Sequence, residues 1–314
     1  MSRTVTVFAP SPVLRVLVEP TAGGGVEVHL HPGGQGVWVA RMAARLGAQV
    51  RLCLPAGGES GTAVLALLEA EGVEARAVRT GGDTAVVVLD HRGHEGAQDA
   101  EEGGRVAAST ATLTRHEVDD LYGTAITSAL DGGVLVLTGP EHDAVLPADV
   151  FRRLAADARG QGTTVVADLS GTALEQALRG GVDLLKIAHD ELPGEGEAAA
   201  DDVPELLRRA RRLQDAGAGA VLLTRAAEPP LLLTASGEAH GLQVPSFTPV
   251  QFRGAGDATS GAAAARLAEG DDVLDAVRTA AAAGAVNVTR QGYGTGHAAA
   301  VAAVARRVRA HRLD

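Results

Sequence analysis

The stretch RGAGDATSGAAAARLAEG, residues 253–270, places Gly254, Ala255 and Gly256 directly before Asp257 and an alanine-rich run. The run predicts a helix that begins near Asp257. A helix N-terminus exposes unpaired N–H groups and carries partial positive charge, and small residues let the backbone approach an anion closely. The three small residues therefore predict an anion-binding turn, with Asp257 placed to accept a proton from a hydroxyl group. The alternative is an ordinary helix start, with glycine for the turn and Asp257 stabilising the first helical turn.

A second glycine-rich loop precedes another predicted helix. It reads HPGGQGVWVARMAARLG over residues 31–47 and follows the predicted strand 26–30. Its spacing differs from the Gly-x-Gly-x-x-Gly fingerprint of dinucleotide-binding folds, and the sequence contains no Gly-x4-Gly-Lys-Ser/Thr phosphate loop. A dehydrogenase is therefore disfavoured. Taken alone, the loop is also compatible with a structural turn.

The order of strand and helix patterns indicates the fold class. Short β-branched runs such as 4–8, 49–54 and 133–139 alternate with longer helical patterns. This alternation predicts a mostly parallel sheet with helices on both faces, which is a three-layer αβα arrangement of the α/β class. Aromatic residues make up only 2% of the 314 residues, so alanine, valine and leucine must fill the core.

Two predicted hairpins interrupt this alternation. We expect them to form a small β-sheet lid, built from about 12–31 and 75–100, within a single domain that spans 1–314. Exposed strand edges in such a lid favour a homodimer through lid–lid contact. The polar stretch 91–109 is predicted to be a loop, and a helix is predicted over 297–310.

Composition restricts the partners. The net charge of −11 argues against nucleic acid and anionic membranes. Cys53 is the only cysteine and lies in an apolar run, so we expect it in the core of a protein from a reducing compartment. Neither a signal-peptide pattern nor an apolar stretch of membrane-spanning length is evident. We therefore expect a cytoplasmic protein that acts on a small molecule.

Further short stretches accompany the two glycine-rich segments in a fixed order: SPVLR (11–15), TGPEHDAVLP (138–147), VVADLSG (165–171), KIAHDEL (186–192), VLLTR (221–225) and AAAAGAVNVTRQGYGTG (280–296). Together they resemble the PfkB (ribokinase-like) carbohydrate kinase family, and most nearly its 1-phosphofructokinase and tagatose-6-phosphate kinase branch. GAGD at 254–257 is the specific motif, and the other stretches are individually weak. The resemblance covers almost the whole chain and implies a ribokinase-like fold.

The resemblance also implies an activity, which is ATP-dependent phosphorylation of a sugar hydroxyl with Mg²⁺ accompanying the nucleotide. Asp257 takes the position of the general base, and the amides of Gly254, Ala255 and Gly256 take that of the anion hole for the phosphoryl group. The implied nucleotide-side residues are Lys186, Thr224 and Arg225 along the groove, Asn287 near the base, and Glu191 bridged to Mg²⁺ by water.

The acceptor side departs from the family pattern. Arg15 replaces an aspartate that holds sugar hydroxyls. In the loop that begins Gly33-Gly34, Gln35 replaces a lysine and Trp38 replaces an asparagine. Arg15 is a candidate to pair with an acidic substrate, or else an exposed residue of an edge strand. Trp38 is a candidate to stack on an apolar or planar substrate, or else a core residue at a helix start.

Five more positions differ from the pattern. Ala85 and Val87 replace an arginine and an asparagine that grip a sugar phosphate, which predicts poor binding of an ordinary phosphosugar. On the nucleotide side, Ala188 replaces the first asparagine of Asn-x-x-Glu, and Pro229-Pro230 follows VLLTR where a glycine-rich turn is usual. Two hypotheses remain open. One is a kinase with an altered acceptor, and the other is a degenerate family member that binds a small ligand without efficient catalysis.

Overall fold

The computed structural model describes residues 4–21, 23–92, 104–131, 133–194, 196 and 198–313, and a ten-stranded sheet forms its centre. Seven neighbouring strands are parallel: β1 (Thr4–Phe8), β4 (Gln49–Ala56), β5 (Glu74–Arg79), β8 (Val134–Thr138), β9 (Thr164–Asp168), β10 (Val182–Ala188) and β11 (Ala218–Arg225). Three antiparallel strands extend one edge: β12 (Glu228–Leu233), β13 (Ala239–Gln243) and β14 (Arg309–Leu313). Across the sheet the order is β14-β13-β12-β11-β10-β9-β8-β1-β4-β5.

Helices cover both faces of this sheet, so the predicted ribokinase-like α/β class is confirmed. Two apolar clusters form the core, and strand residues alternate between them, as Leu52 and Leu54 do against Cys53. Burial raises the pKa of the Cys53 thiol to about 11, in keeping with the expected core position. The first cluster contains residues of α1 (Gln35–Arg45), α2 (Gly58–Ala70), α7 (Ala255–Glu269), α8 (Val273–Asn287) and α9 (Ala298–Ala305). The second contains residues of α3 (Arg115–Ala129), α4 (Asp149–Gly160), α5 (Gly171–Gly180) and α6 (Val203–Asp215).

Local sequence signals explain several helix boundaries. Thr114 and Glu117 form the reciprocal capping box that begins α3, as the sequence predicts. Asp202 caps α6 by accepting from the Glu205 amide at 3.2 Å. None of the helices in the described ranges has the length and apolarity needed to cross a bilayer.

A separate four-stranded sheet forms the lid, in the order β3-β2-β6-β7. Its strands are β2 (Val13–Pro20), β3 (Val26–Gly33), β6 (Ala85–Asp90) and β7 (Arg105–Ala108). The prediction that the lid includes residues 75–79 is wrong, because β5 pairs with β4 in the main sheet, whereas β6 is part of the lid. The predicted lid residues 93–100 lie outside the described residues.

Two predicted secondary-structure assignments also change. β7 occupies part of the predicted loop 91–109, where it pairs with β6. The predicted helix 297–310 ends at Ala305, and β14 follows it to pair with β13. Arg309, His311 and Arg312 keep a polar pattern that is typical of a solvated helix face, yet a free sheet edge offers the same exposure to a strand.

Close packing of α1 on α7 depends on a glycine. A Cβ at Gly261 would lie 2.3 Å from the Val39 carbonyl oxygen, and backbone cannot move away as a flexible side chain can. We expect Gly261→Ala to lower the free energy of unfolding by about 1–3 kcal/mol through overpacking. Urea denaturation at neutral pH measures this change.

Gly123 supplies the matched control, because it lies within α3 and a Cβ there would meet nothing within 4 Å. Gly123→Ala should stabilise the protein by about 0.5–1 kcal/mol, since alanine loses less backbone entropy in a helix. Equal effects of the two substitutions would contradict the packing argument.

Candidate active site

The turn before α7 has the geometry of an anion site. Gly254 is the N-cap of α7 and adopts the left-handed conformation, with φ of 79°. A Cβ at this position would also lie 2.7 Å from Cδ1 of Tyr293, so both conformation and space favour glycine. The Ala255 amide makes only a long 3.4 Å bond to the Phe252 carbonyl. The first-turn amides of a 15-residue helix are therefore available at this end of α7.

A buried lysine lies directly against this turn. Lys186, in β10, extends so that a Cβ at Gly256 would be 2.7 Å from its ammonium nitrogen. The ammonium donates to Asp168 Oδ1 at 3.0 Å, and Ser260 donates to Asp168 Oδ2 at 2.6 Å. Burial alone lowers the pKa of Lys186, but the charges of Asp168, Asp257 and Glu191 outweigh it and raise the pKa. The ammonium therefore keeps its charge beside the anion turn.

Asp257 lies in the first turn of α7, half-buried beside this ion pair. The pKa of its carboxyl is raised to about 7, chiefly by burial and then by the charge of Asp168, while Lys186 and the residue's own amide act in the opposite direction. A carboxylate with a pKa near neutrality is suited to accept a proton from an alcohol. The structure thus brings the anion turn, a cation and a candidate base to one place.

Glu191 and Thr224 occupy the neighbouring strand ends. Glu191 follows β10 in a short 3-10 turn, is exposed, and accepts a 3.1 Å bond from the Ala188 amide. Thr224 lies beside Ala188 in the parallel pairing of β10 with β11. An exposed carboxylate suits Mg²⁺, which usually keeps several waters and binds one or two carboxylates together with phosphate oxygens. Within the described part of the chain, no three His, Cys, Asp or Glu side chains form a preassembled metal cage.

Two predicted nucleotide contacts are engaged within the protein instead. Arg225 is buried, and its guanidinium donates to the carbonyls of Pro229 and Ala200, each at 2.7 Å. Asn287 is fully buried; its amide donates to the Arg253 carbonyl at 3.3 Å and accepts from the Gly294 amide at 3.0 Å. These bonds hold loops in place, and the nucleotide contacts of both residues stay predictions.

The proline pair also lies elsewhere than predicted. Pro229 and Pro230 belong to β12, and the turn before them is formed by Ala226 and Ala227. Ala226 adopts φ of 50°, in the left-handed region that favours glycine. The chain thus makes a tight turn here with a non-glycine residue, while the prolines stiffen the following strand.

The second glycine loop joins the lid to α1. Gly34 has φ of 103°, and a Cβ there would lie 2.5 Å from the Ser11 carbonyl oxygen. Gln35 bridges two strand ends, because its amide oxygen accepts from the Gly139 amide at 2.8 Å and its amide nitrogen donates to the Asp168 carbonyl at 3.3 Å. Gln35 therefore positions the loop beside the Asp168–Lys186 pair.

Arg15, Trp38 and Tyr293 form one cluster between the lid and the anion turn. The Trp38 and Tyr293 rings stack at 4.3 Å with an interplanar angle of 17°. The Arg15 guanidinium carbon lies 4.3 Å from the Tyr293 centroid and 5.6 Å from that of Trp38. Arg15 is 8% exposed, so the alternative of an exposed edge-strand arginine is wrong. Its stem also crosses Gly33, where a Cβ would lie 2.9 Å from Arg15 Cδ.

An ion pair between the buried Arg41 and the exposed Glu71 ties this cluster to the lid base. Arg41 donates to both carboxylate oxygens of Glu71, at 2.7 and 2.8 Å. It also donates to the carbonyls of Tyr293, at 2.8 Å, and Pro32, at 3.1 Å. One side chain therefore holds the end of α2, the last residues of β3 and the loop after α8 together.

Sequence reasoning missed three residues of this site: Asp168, Ser260 and Tyr293. Asp168 ends β9 and pairs in register with Lys186, so an acidic residue ending a strand beside a lysine strand was the available signal. Ser260 lies three residues after Asp257, on the same helix face. Tyr293 carries no local signal, because its contacts come from distant segments.

The fold is shared with solved kinase structures. Phosphofructokinase-2 from Escherichia coli in complex with potassium is 24% identical, and the match covers 98% of this chain and 99% of that one with a TM-score of 0.80. A possible 1-phosphofructokinase from Thermotoga maritima is 15% identical, and the match covers 99% of this chain and 100% of that one with a TM-score of 0.77. Ribokinase from Arabidopsis thaliana complexed with ribose and ATP is 18% identical, and the match covers 98% of this chain and 99% of that one with a TM-score of 0.67.

Sequence comparison identifies the family to which the chain belongs. A search of curated proteins returned no match. The sequence profile of the pfkB family carbohydrate kinases, in contrast, matches residues 14–299, which include the glycine loop, Lys186, Glu191 and the GAGD turn. With the shared ribokinase-like architecture, this match shows that the chain belongs to the pfkB family of carbohydrate kinases.

Proposed function

We propose that this family member transfers the γ-phosphoryl group of ATP to a hydroxyl of a small molecule that differs from an ordinary phosphosugar. The observation that carries the proposal is the convergence at the start of α7. There the Lys186 ammonium, from β10, lies against the start of α7. The same start of the helix contains the amides of 254–256 and the Asp257 carboxyl. This combination can place a phosphoryl group, neutralise its charge and accept the proton of the attacking alcohol.

In the proposed reaction, the acceptor oxygen forms a bond to the γ-phosphorus as the bond from that phosphorus to the bridging oxygen of ADP breaks. The hydroxyl proton passes to Asp257. The amides at 254–256 stabilise the charge on the transferring group, because they point at it without reorganisation. Lid closure excludes water, so that water does not compete as the acceptor.

The nucleotide side supplies positioning. Lys186 is placed to contact phosphate oxygens, and Asp168 with Ser260 holds it in position. Glu191 would hold Mg²⁺ through water, and when bound the ion neutralises phosphate charge. Thr224, at the end of β11, borders the same groove.

The altered acceptor follows from the lid. Ala85 and Val87 lie in register with Val13 and Arg15, facing the side on which Arg15 contacts the aromatic pair. Where the family resemblance places an arginine and an asparagine for sugar phosphate, this lid presents a methyl group and an isopropyl group. Nothing in these two side chains can donate to a phosphate.

A second candidate function is a degenerate family member that binds a small ligand without efficient catalysis. The engagement of Arg225 and Asn287 with main-chain carbonyls favours it, since polar groups predicted to contact the nucleotide already bond within the protein. Calorimetry with Mg-ATP separates the two functions. Binding at micromolar to millimolar affinity supports the kinase, and no detectable heat at these concentrations supports the degenerate protein.

Asp257→Asn tests the proposed base. The amide cannot accept the proton, so we expect the turnover number to fall by about 10²- to 10⁴-fold. Mg-ATP affinity measured by calorimetry should change less than about threefold, because the main-chain amides and Lys186 remain. A variant that releases ADP at the wild-type rate would remove Asp257 from this role.

The raised pKa of Asp257 gives a stability test that needs no acceptor. Its folded pKa of about 7 lies above the ordinary 3.8, so ionisation of this carboxyl opposes folding as pH rises between those values. The Asp257→Asn variant lacks this penalty. We therefore expect the variant to exceed wild type in Tm by more at pH 8 than at pH 4. With an acceptor present, the same pKa predicts that wild-type kcat/KM rises with pH through about 7. Parallel Tm profiles across this range would contradict the assignment.

We also propose that two copies associate through the outer face of the lid. Leu30, Val16, Val88 and Val106 form one row across all four strands. Leu30 and Val106 are 48% and 70% exposed, and the exposed Val28 lies in the adjacent row. A contiguous apolar sheet face of this kind is typical of a protein interface.

Val28→Glu combined with Val106→Glu tests the lid interface. Two carboxylates on each face should shift the sedimentation coefficient from dimer to monomer at micromolar concentration. Val250→Glu is the control, since Val250 is 54% exposed but lies in the segment before α7. A wild-type protein that sediments as a monomer, or a control that dissociates equally, would exclude this interface.

A further inference from the structure

The chain has one tryptophan and two tyrosines, and Trp38 meets Tyr293 between the lid and the anion turn. Tyr293 is held from several directions. Its ring contacts Gly254, its hydroxyl accepts a 3.1 Å bond from the Gln251 amide, and its carbonyl accepts from Arg41. A ring fixed in this way beside Gly254, the first residue of the proposed anion hole, is placed to border the space that an acceptor would enter.

Residues paired across neighbouring lid strands form rows, and the rows on the same sheet face as Arg15 are mostly apolar. The row nearest the glycine loop contains Gly33, Val13 and Ala85. The next contains Arg15, Val87 and His31, the last paired with Arg15 across β2 and β3. Burial and the charge of Arg41 lower the pKa of His31, so its ring is neutral at pH 7. Within these two rows of described residues, Arg15 is therefore the only cation.

The Arg15 guanidinium is already placed against aromatic rings. Its distances to the two centroids, 4.3 and 5.6 Å, put it within cation–π range of both Tyr293 and Trp38. A phosphate dianion usually binds to several donors, with arginine or lysine in bidentate or paired contacts. These two rows lack such a set, whereas apolar side chains and stacked rings favour flat apolar surfaces.

We propose that Tyr293, with Trp38 and Arg15, is the specificity-determining element of the acceptor site, and that it selects an alcohol with a planar, apolar body and no phosphate. This inference rests on the proposed function. The planar body packs against the aromatic cluster and the Ala85–Val87 face, and its hydroxyl reaches Asp257.

Trp38 makes the proposal measurable, because the only tryptophan of the chain reports directly on this cluster. Uridine and benzyl alcohol serve as planar probes, and fructose, gluconate and fructose 6-phosphate as the comparison set. Each is titrated into wild-type protein that holds a non-hydrolysable ATP analogue with Mg²⁺, and tryptophan emission is followed. We expect a saturable change with at least one planar alcohol, and about tenfold higher kcat/KM for it than for any comparison compound.

Two substitutions identify the residue responsible. Tyr293→Leu removes the ring at similar volume and should lower kcat/KM for the planar alcohol by about tenfold, with Mg-ATP affinity unchanged. Tyr293→Phe keeps the ring and should restore most of that loss. Tyr122→Leu is the matched control, because the Arg153 guanidinium also lies 4.3 Å from the Tyr122 ring, in α3 and away from the site.

Several results would overturn the proposal. The first is that neither planar alcohol gives a saturable change in tryptophan emission. The second is that any comparison compound has a kcat/KM equal to or higher than that of the planar alcohols. The third is that Tyr293→Leu lowers kcat/KM no more than Tyr122→Leu does. Failure of the proposed function has a different signature, since a protein that does not bind Mg-ATP fails in calorimetry before any acceptor is added.

Discussion

The close approach of the Lys186 ammonium to Gly256 is the constraint on which the site depends. A Cβ at position 256 would lie 2.7 Å from the ammonium, so any larger residue there would require the paired lysine to shift. An ammonium buried there needs a partner, which Asp168 provides, and the second oxygen of Asp168 is satisfied by Ser260. Asp257 then lies half-buried beside both charges, and its burial together with the charge of Asp168 brings its pKa to about 7.

The lid is connected to the start of α7 through Tyr293, which contacts lid-side arginines on one side and Gly254 on the other. Arg41 joins the base of β3 to the Tyr293 main chain, and Arg15 joins β2 to the Tyr293 ring. Tyr293 in turn packs on Gly254, the left-handed residue that begins the anion turn. Contacts through Tyr293 therefore link the lid strands to the start of the predicted anion turn. The departures of Arg15 and Trp38 from the family pattern thus form one mutually packed unit with Tyr293.

Much of the fold was predictable because strand and helix periodicity is a local property. The parallel sheet, the small lid sheet and the capping box at Thr114 follow from such patterns. The errors arose where pairing partners decide the structure. The residues of β5 resemble part of a lid hairpin but pair with β4, and the polar end of the chain resembles a helix but completes the sheet edge as β14. An exposed polar segment suits a helix face and an edge strand equally well.

Local sequence was enough to identify the family and to predict an anion turn with a carboxylate after it, because glycines before a helix and an acid in its first turn are requirements of neighbouring residues. Which side chains face the site, in contrast, was settled by tertiary packing. Arg225 and Asn287 fit a nucleotide groove by position, yet distant carbonyls engage their polar groups. Tyr293 fits no motif, yet it stacks on Trp38 and packs beside Gly254, because side-chain direction depends on packing between segments far apart in the chain.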